Sequence, residues 1–397
     1  MVVAYKIERD AQSVVIHRCF NGVVDECRPE TFRAAVDFII YPQPDSVALV
    51  WDVHQFSSLL FSLLSSTEQE IVSKSIKSWV YGVKIFAVDR LLGLGVDRAI
   101  GNGKSLRQEV NLYSLNSWVS ESRADPDVKA LASLGKDVLE AILEMGLYPR
   151  KLTSPAGLYA QTIVGKVPTI YSNESLMEAA NCCIDVMNLE WVETYNSILY
   201  APSFVCDLAS AYPSFMAILP NTDGCRITYS KEVIPCKWAV VKVKNLTLDS
   251  VVHPLVTLER DYFASNELAW VKKHGGTFDV VDGYFLSWIN NAHPYEPIVK
   301  ELWGWRKKYG VISEVAKRMM NGLSGKLDQQ NKDGGLGELY NPIYALMVRA
   351  GCRLEVMNFI ERYGIQDSLV AVNVDSVRTY KDLGLPDKAG IGEWRRK

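Results

Sequence analysis

Largely apolar runs rich in β-branched residues over 2–7 and 14–17 predict two short strands. An apolar run over 47–53 predicts a third, followed by a helix over 56–64. Residues 84–88 and 110–113 read as two further strands. Over 125–145 the apolar positions recur at three- and four-residue spacing, the mark of an amphipathic helix. Strands interleaved with helices predict an α/β layer domain across residues 1–165. Pro155, Gly157 and Pro168 then mark a boundary zone.

Beyond that zone the pattern predicts a helix over 172–190 and, from Ser203, a strand running into Asp207. Strands follow over 238–243, 251–258 and 277–286, with a short helix over 266–274. Residues 297–309 and 313–323 read as two antiparallel helices broken at Tyr309-Gly310. A long helix spans 344–363, and 369–379 is a strand pair or a strand with a tight bend.

Composition narrows the function classes. Hydrophobic residues make up 48% and charged residues 22% of 397, as in a folded chain of two or three domains. Net charge is −3, so any nucleic-acid binding must come from local patches. The cysteines are scattered with no C-x-x-C pair and do not combine with the five histidines into a zinc-ligand spacing, which argues against structural zinc and for a reduced, intracellular compartment. The first residues lack a signal peptide's apolar core, and the apolar run at 59–64 is too short to span a bilayer. No membrane is expected.

Three stretches carry candidate chemistry. In the first, Phe204, Val205 and Cys206 run into Asp207, and Pro213 stops the strand. A carboxylate ending a buried strand is costly unless it is paired or holds a metal. Ser210 and Tyr212 follow at a turn where a flat ligand has room. In the second, Lys317, Asn321 and Gly325 recur at i, i+4 and i+8, one helical face, with Arg306 on the preceding helix. Residues 300–326 hold seven basic and two acidic side chains, the local balance a triphosphate needs. In the third, Asp375 lies among Val372, Val374 and Val377 and again needs a partner. Two carboxylates from separate strands suit paired Mg²⁺ ions about 3.5–4 Å apart. The plainer alternatives are a solvated basic helix face and carboxylates satisfied by turns or salt bridges. Gly101-Asn102-Gly103-Lys104-Ser105 ends like a phosphate loop, but Arg98 stands where that motif needs glycine, so it reads as a turn.

The order D-x-x-S-x-Y-P-S, then K-x-x-x-N-x-x-x-G, then an Asp-Ser strand resembles motifs A, B and C of the family B DNA polymerases, especially their small phage and mobile-element branch. Leu219-Pro220, Asn266-Glu267-Leu268 and Asn341-Pro342 also resemble that family. The resemblance implies an α/β and α+β chain: a degenerate ribonuclease-H-like exonuclease domain over 1–165, then a palm over 166–297, helical-hairpin fingers over 298–330, and the rest of the palm over 331–397. It implies Asp207 and Asp375 as catalytic metal ligands, with the Leu208 carbonyl assisting, for two Mg²⁺ ions or Mn²⁺. Tyr212 would stack under the incoming sugar and exclude a 2′-hydroxyl. Lys317 and Arg306 would grip the triphosphate, and Asn321 would sit beside the nascent base pair. The implied partners are a DNA primer-template and dNTPs.

The departures set further expectations. Asn373 replaces the first acid of the usual D-T-D-S, which predicts weaker or altered metal binding. Gly322 and Ser324 stand where Ser and Tyr are usual, which predicts lower fidelity. Trp191-Val192-Glu193 occupies the place of the glycine-pair motif. In the N-terminal domain Lys6 replaces an acid beside Glu8, and Ser57 stands for another after Asp52 and Phe56. Ser133 with Asp137 resembles the Y-x-x-x-D motif without its tyrosine. An inactive nuclease is therefore expected. Only 22 residues follow Asp375, too few for a helical thumb, so either the chain is cut, a second chain supplies the thumb, or DNA is held differently. The basic residues Arg395, Arg396 and Lys397 could touch phosphates, but the default reading is a frayed, solvated end. The rival reading is a non-catalytic subunit that serves as a DNA-binding or assembly scaffold. Joint retention of Asp207, Tyr212, Lys317 and Asp375 argues against it.

Overall fold

The computed structural model describes residues 2–9, 13–20, 23–30, 35, 47–50, 58–59, 62–63, 82–84, 111–114, 128–148, 154–170, 175–187, 190–195, 202–248, 260–330 and 335–397. The chain divides into two compact units, Met1–Leu158 with Trp305–Arg318, and Tyr159–Gly304 with Met319–Lys397.

The first unit holds a mixed sheet of six strands, β1 (Val2–Arg9), β2 (Val14–Phe20), β3 (Val23–Cys27), β4 (Val47–Val50), β5 (Gly82–Lys84) and β6 (Asn111–Ser114), in the order β3-β2-β1-β4-β6-β5. Tyr5 and Ile7 are buried while Lys6 and Glu8 face the other way, as the pleat requires. Helix α1 (Val128–Glu144) packs on β1 and β2, with Leu134, Val138, Ala141 and Ile142 buried on one face. Strand β3 was not legible in the pattern, because Val23 and Val24 are exposed. Its register is set instead by the Arg18–Asp25 pair, Nη2 to Oδ2 at 2.6 Å. The strand expected over 251–258, the turn at 101–105, and Asp52, Phe56 and Ser57 lie outside the described residues.

The first unit passes into the second within the expected boundary zone, between Leu158 and Tyr159. Pro155 opens helix α2 (Pro155–Ile163), and the Ser154 hydroxyl accepts from the Gly157 amide at 3.1 Å. Proline at the first helical position sacrifices only an amide that the helix leaves free. Helix α3 (Ser175–Met187) follows, then β7 (Val192–Thr194), β8 (Phe204–Leu208), α4 (Ala211–Ala217), β9 (Arg226–Ser230), β10 (Trp238–Thr247) and β11 (Tyr262–Ala264). Helix α5 (Ser265–Lys273), β12 (Thr277–Ser287), α6 (Glu296–Arg306) and α7 (Val311–Leu323) come next, of which Trp305–Arg318 belongs to the first unit. The chain closes with α8 (Pro342–Tyr363), β13 (Leu369–Asn373), β14 (Ser376–Thr379) and β15 (Trp394–Arg396). Two sheets result, β11-β10-β12-β9 and β15-β8-β14-β13-β7, and every pair in both is antiparallel.

Helix α8 is buried over most of its length, with Glu361 and Arg362 exposed in its last turn. Asn341 caps it by accepting from the Tyr344 amide at 3.2 Å, Pro342 starts it, and Gly364 in the left-handed region ends it. The Tyr344 hydroxyl donates to the Pro220 carbonyl at 2.6 Å, so the two Pro-containing motifs meet. At Gly351 a Cβ would come within 2.6 Å of the Phe215 ring on α4. Gly351→Ala should therefore destabilise the protein by about 1–3 kcal/mol through overpacking. Thermal unfolding reads it, and an unchanged Tm would mean the ring yields freely.

Nearby, Glu267 on α5 lies between two guanidinium groups. Arg260 reaches its two oxygens at 3.2 Å each, and Arg353 donates Nε and Nη2 to Oε1 at 3.0 and 2.8 Å. The Ala264 amide adds a bond to Oε2 at 3.1 Å.

Lys317 and Asn321 share a face of α7 as expected, but the face does not extend to Gly325, because α7 stops at Leu323 and Ser324–Lys326 is a 3₁₀ turn. The Ser324 hydroxyl bonds the Asn321 carbonyl at 3.2 Å, and glycines at 322 and 325 lower helix propensity there. Among the described residues no helix is long and apolar enough to cross a membrane.

Candidate active site

Strand β8 lies between β14 and β15, so Asp207 is flanked by Ser376 on one side and Arg395 on the other. The Leu208 amide donates to the Asp375 carbonyl at 3.0 Å, which brings the second acid to the end of the same strand. Asp375 occupies the two-residue turn between β13 and β14. Its neighbour Val374 has φ 56, a left-handed conformation costly for a β-branched residue. The turn is held there: the Val374 amide bonds the Trp191 carbonyl at 2.8 Å, and the Cys352 thiol meets the Val374 carbonyl at 3.8 Å.

Ser210, also left-handed at φ 52, lets the chain turn from β8 straight into α4. Bonds from the Ala209 amide to Glu393 at 2.9 Å and from the Gly392 amide to Ala209 at 2.7 Å hold this corner. Tyr212 sits on the first turn of α4, half-buried. Burial pushes its hydroxyl up to about 12, Cys352 and Glu190 add to this, and the nearby Arg349 guanidinium opposes it. Arg349 in turn pairs with Asp328 through Nη2.

The two acids differ in their surroundings. Burial first, and then the Asp207 charge, push the Asp375 carboxyl above its ordinary range, against its own amide, Lys397 and Arg395. Asp207 is nearly buried and carries two cations. Arg395 donates Nε and Nη2 to Oδ2 at 3.1 and 2.7 Å, and Lys397 Nζ reaches Oδ1 at 3.3 Å. The expectation of a frayed basic end is thus overturned. Trp394 is buried, stacks on Phe359 with ring centroids 3.8 Å apart, and donates to Glu355 at 3.0 Å. Two adjacent carboxylates are a donor set that suits a hard divalent cation. Among the described residues no cluster of three or more acid, histidine or cysteine side chains forms.

The other expected site residues are placed as follows. Leu208 is buried on β8 and Asn321 is exposed near the end of α7. Arg306 ends α6 and Lys317 lies on α7, both within the first unit. The Ser313 hydroxyl bonds the Arg306 carbonyl at 2.6 Å, and Gly310 at φ 77 turns the chain between the helices. Lys308 at this tip pairs with Glu144 at 2.8 Å. On the six-stranded sheet Glu8 is held by Lys6 at 3.6 Å and His17 at 3.0 Å. Ser133 and Asp137 lie on the exposed face of α1.

No family model and no curated protein matches the sequence. Solved structures do match. Phi29 DNA polymerase complexed with primer-template DNA in its post-translocation binary complex aligns with TM-score 0.66 at 11% identity, over 99% of this chain and 84% of that one. The ternary complex with incoming nucleotide substrates gives 0.65 at 10% identity over 99% and 83%, and the complex with single-stranded DNA 0.65 at 12% over the same shares. The fold is that of a family B-like polymerase.

Proposed function

We propose that the chain is a DNA-directed DNA polymerase without proofreading, transferring the nucleotidyl group of a dNTP to a primer 3′-hydroxyl with release of pyrophosphate. The observation that carries this reading is the placing of Asp207 and Asp375 at the adjoining ends of β8 and the β13–β14 turn. In it, residues 166–297 and 331–397 act as palm and 298–330 as fingers, and 1–165 is a nuclease-like domain whose acid Glu8 is spent on Lys6 and His17. Two Mg²⁺ ions, or Mn²⁺, would supply neutralisation of the phosphates and a more acidic attacking hydroxyl.

Asp207, Asp375 and the Leu208 carbonyl would hold the ions. Tyr212, fixed on the first turn of α4, would form the floor under the sugar and reject a 2′-hydroxyl. Arg306 and Lys317 would hold the triphosphate, and Asn321 would border the base pair. In-line attack on the α-phosphate then owes its rate to positioning and charge neutralisation. The experiment is primer extension by the purified chain with primer-template, four dNTPs and Mg²⁺ or Mn²⁺. Extension that follows the template supports the reading, and its absence with both ions sinks it.

One observation favours the scaffold alternative: Asp207 already has counter-cations from its own chain. A scaffold would gain no thermal stability from a dNTP with Mg²⁺, whereas a polymerase would, because a ligand bound only by the native state raises its Tm.

A further inference from the structure

The cations on Asp207 ask for an explanation of their own. Asp207 pairs in register with Arg395 across β8 and β15, and Lys397 follows two residues later on the same face. Both carboxylate oxygens are engaged. The Asp207 side chain is 9% exposed, while those of Arg395 and Lys397 are 31% and 63% exposed. The acid is fixed and its partners have room to turn outward.

The strand that carries them does not have to move. Trp394 anchors it in the core, and the Arg396 and Lys397 amides bond to Pro386 and Val205 at 2.9 Å each. Rotation of two long side chains is enough to free Asp207. A divalent cation approaching Asp207 alone meets a guanidinium and an ammonium already in place. A polyphosphate removes that conflict, because it offers both groups new anionic oxygens of the kind they bind well.

We infer that Arg395 and Lys397 form a counter-cation gate, which holds Asp207 until a polyphosphate takes the two cations and thereby couples divalent-ion binding to polyphosphate binding. The inference rests on the metal-site reading above. The coupling is reciprocal and of ordinary allosteric size, about tenfold or more.

The test measures Mn²⁺ uptake by electron paramagnetic resonance in wild type, R395Q/K397Q and D207N. Each protein is titrated with free Mn²⁺ and, separately, with preformed Mn²⁺–tripolyphosphate. The gate predicts opposite signs: R395Q/K397Q should take free Mn²⁺ about tenfold more tightly and Mn²⁺–tripolyphosphate about tenfold more weakly. A merely structural pair would weaken both or neither, and that result overturns the gate while wild-type uptake, lost in D207N, keeps the metal site. Failure of wild type to take up Mn²⁺ in either form, or uptake unaffected in D207N, overturns the metal site and the gate together. Should the double variant fail to fold by thermal unfolding, Lys397→Gln alone must show the same pair of signs at smaller size, and no change there also overturns the gate.

Discussion

Asp207→Asn and Asp375→Asn should each abolish nucleotide incorporation, a fall of roughly a thousandfold or more in kcat, because each removes a negative charge that would hold the divalent ions against the reacting phosphates. The two variants should part company in stability. Asn at 207 leaves Arg395 and Lys397 without their counter-ion beside a nearly buried position, so the fold loses a charged pairing. Asn at 375 removes a charge that burial and Asp207 both oppose, so Tm should hold or rise. Primer extension and thermal unfolding on the same preparations read both effects. A stable Asp375→Asn protein that cannot extend a primer separates lost chemistry from lost fold. Extension retained by either variant would remove that acid from the catalytic reading.

The acids were legible in the sequence because each interrupts an apolar run, and a charge among valines needs a partner. The hairpin that presents Asp375 was legible from its alternation, but its left-handed Val374 was not, since valine is among the last residues expected there. What holds that conformation is the Trp191 carbonyl, remote in sequence.

The same distance hid the role of Arg395 and Lys397. A basic run reads as solvated by default, and its partner Asp207 lies 188 residues from Arg395. Trp394 was the available signal, an aromatic inside the charged run that packs on the core. Gly325 failed in the opposite direction. Its spacing fitted a helical face, but the helix ends before reaching it, and a Cβ there would meet open space.

The Arg260–Glu267–Arg353 cluster was no more visible, and it carries the largest expected effect on stability. Its members are 0%, 0% and 3% exposed, and both guanidinium groups pair with the Glu267 carboxylate. Burial pushes the Glu267 carboxyl up, but the attraction and hydrogen bonds of both arginines outweigh it and hold the group down at about 2. Glu267→Gln would take a shared carboxylate charge away from two buried guanidinium groups, and breaking a buried ion pair costs about 3–5 kcal/mol. That is a large share of the roughly 5–15 kcal/mol that holds a domain folded.

The sign of the pH dependence follows from the depressed value. Glu267 contributes stability that is complete above the ordinary carboxylate range and is lost as pH falls from about 4.5 towards about 2. Urea unfolding at neutral pH should show a lower midpoint for Glu267→Gln at an unchanged slope. The wild-type advantage over the variant should then shrink below pH 4, because protonation removes the same charge that the substitution removes. A constant difference down to pH 2 would mean that Glu267 acts through packing, and that the arginines find their counter-charge elsewhere.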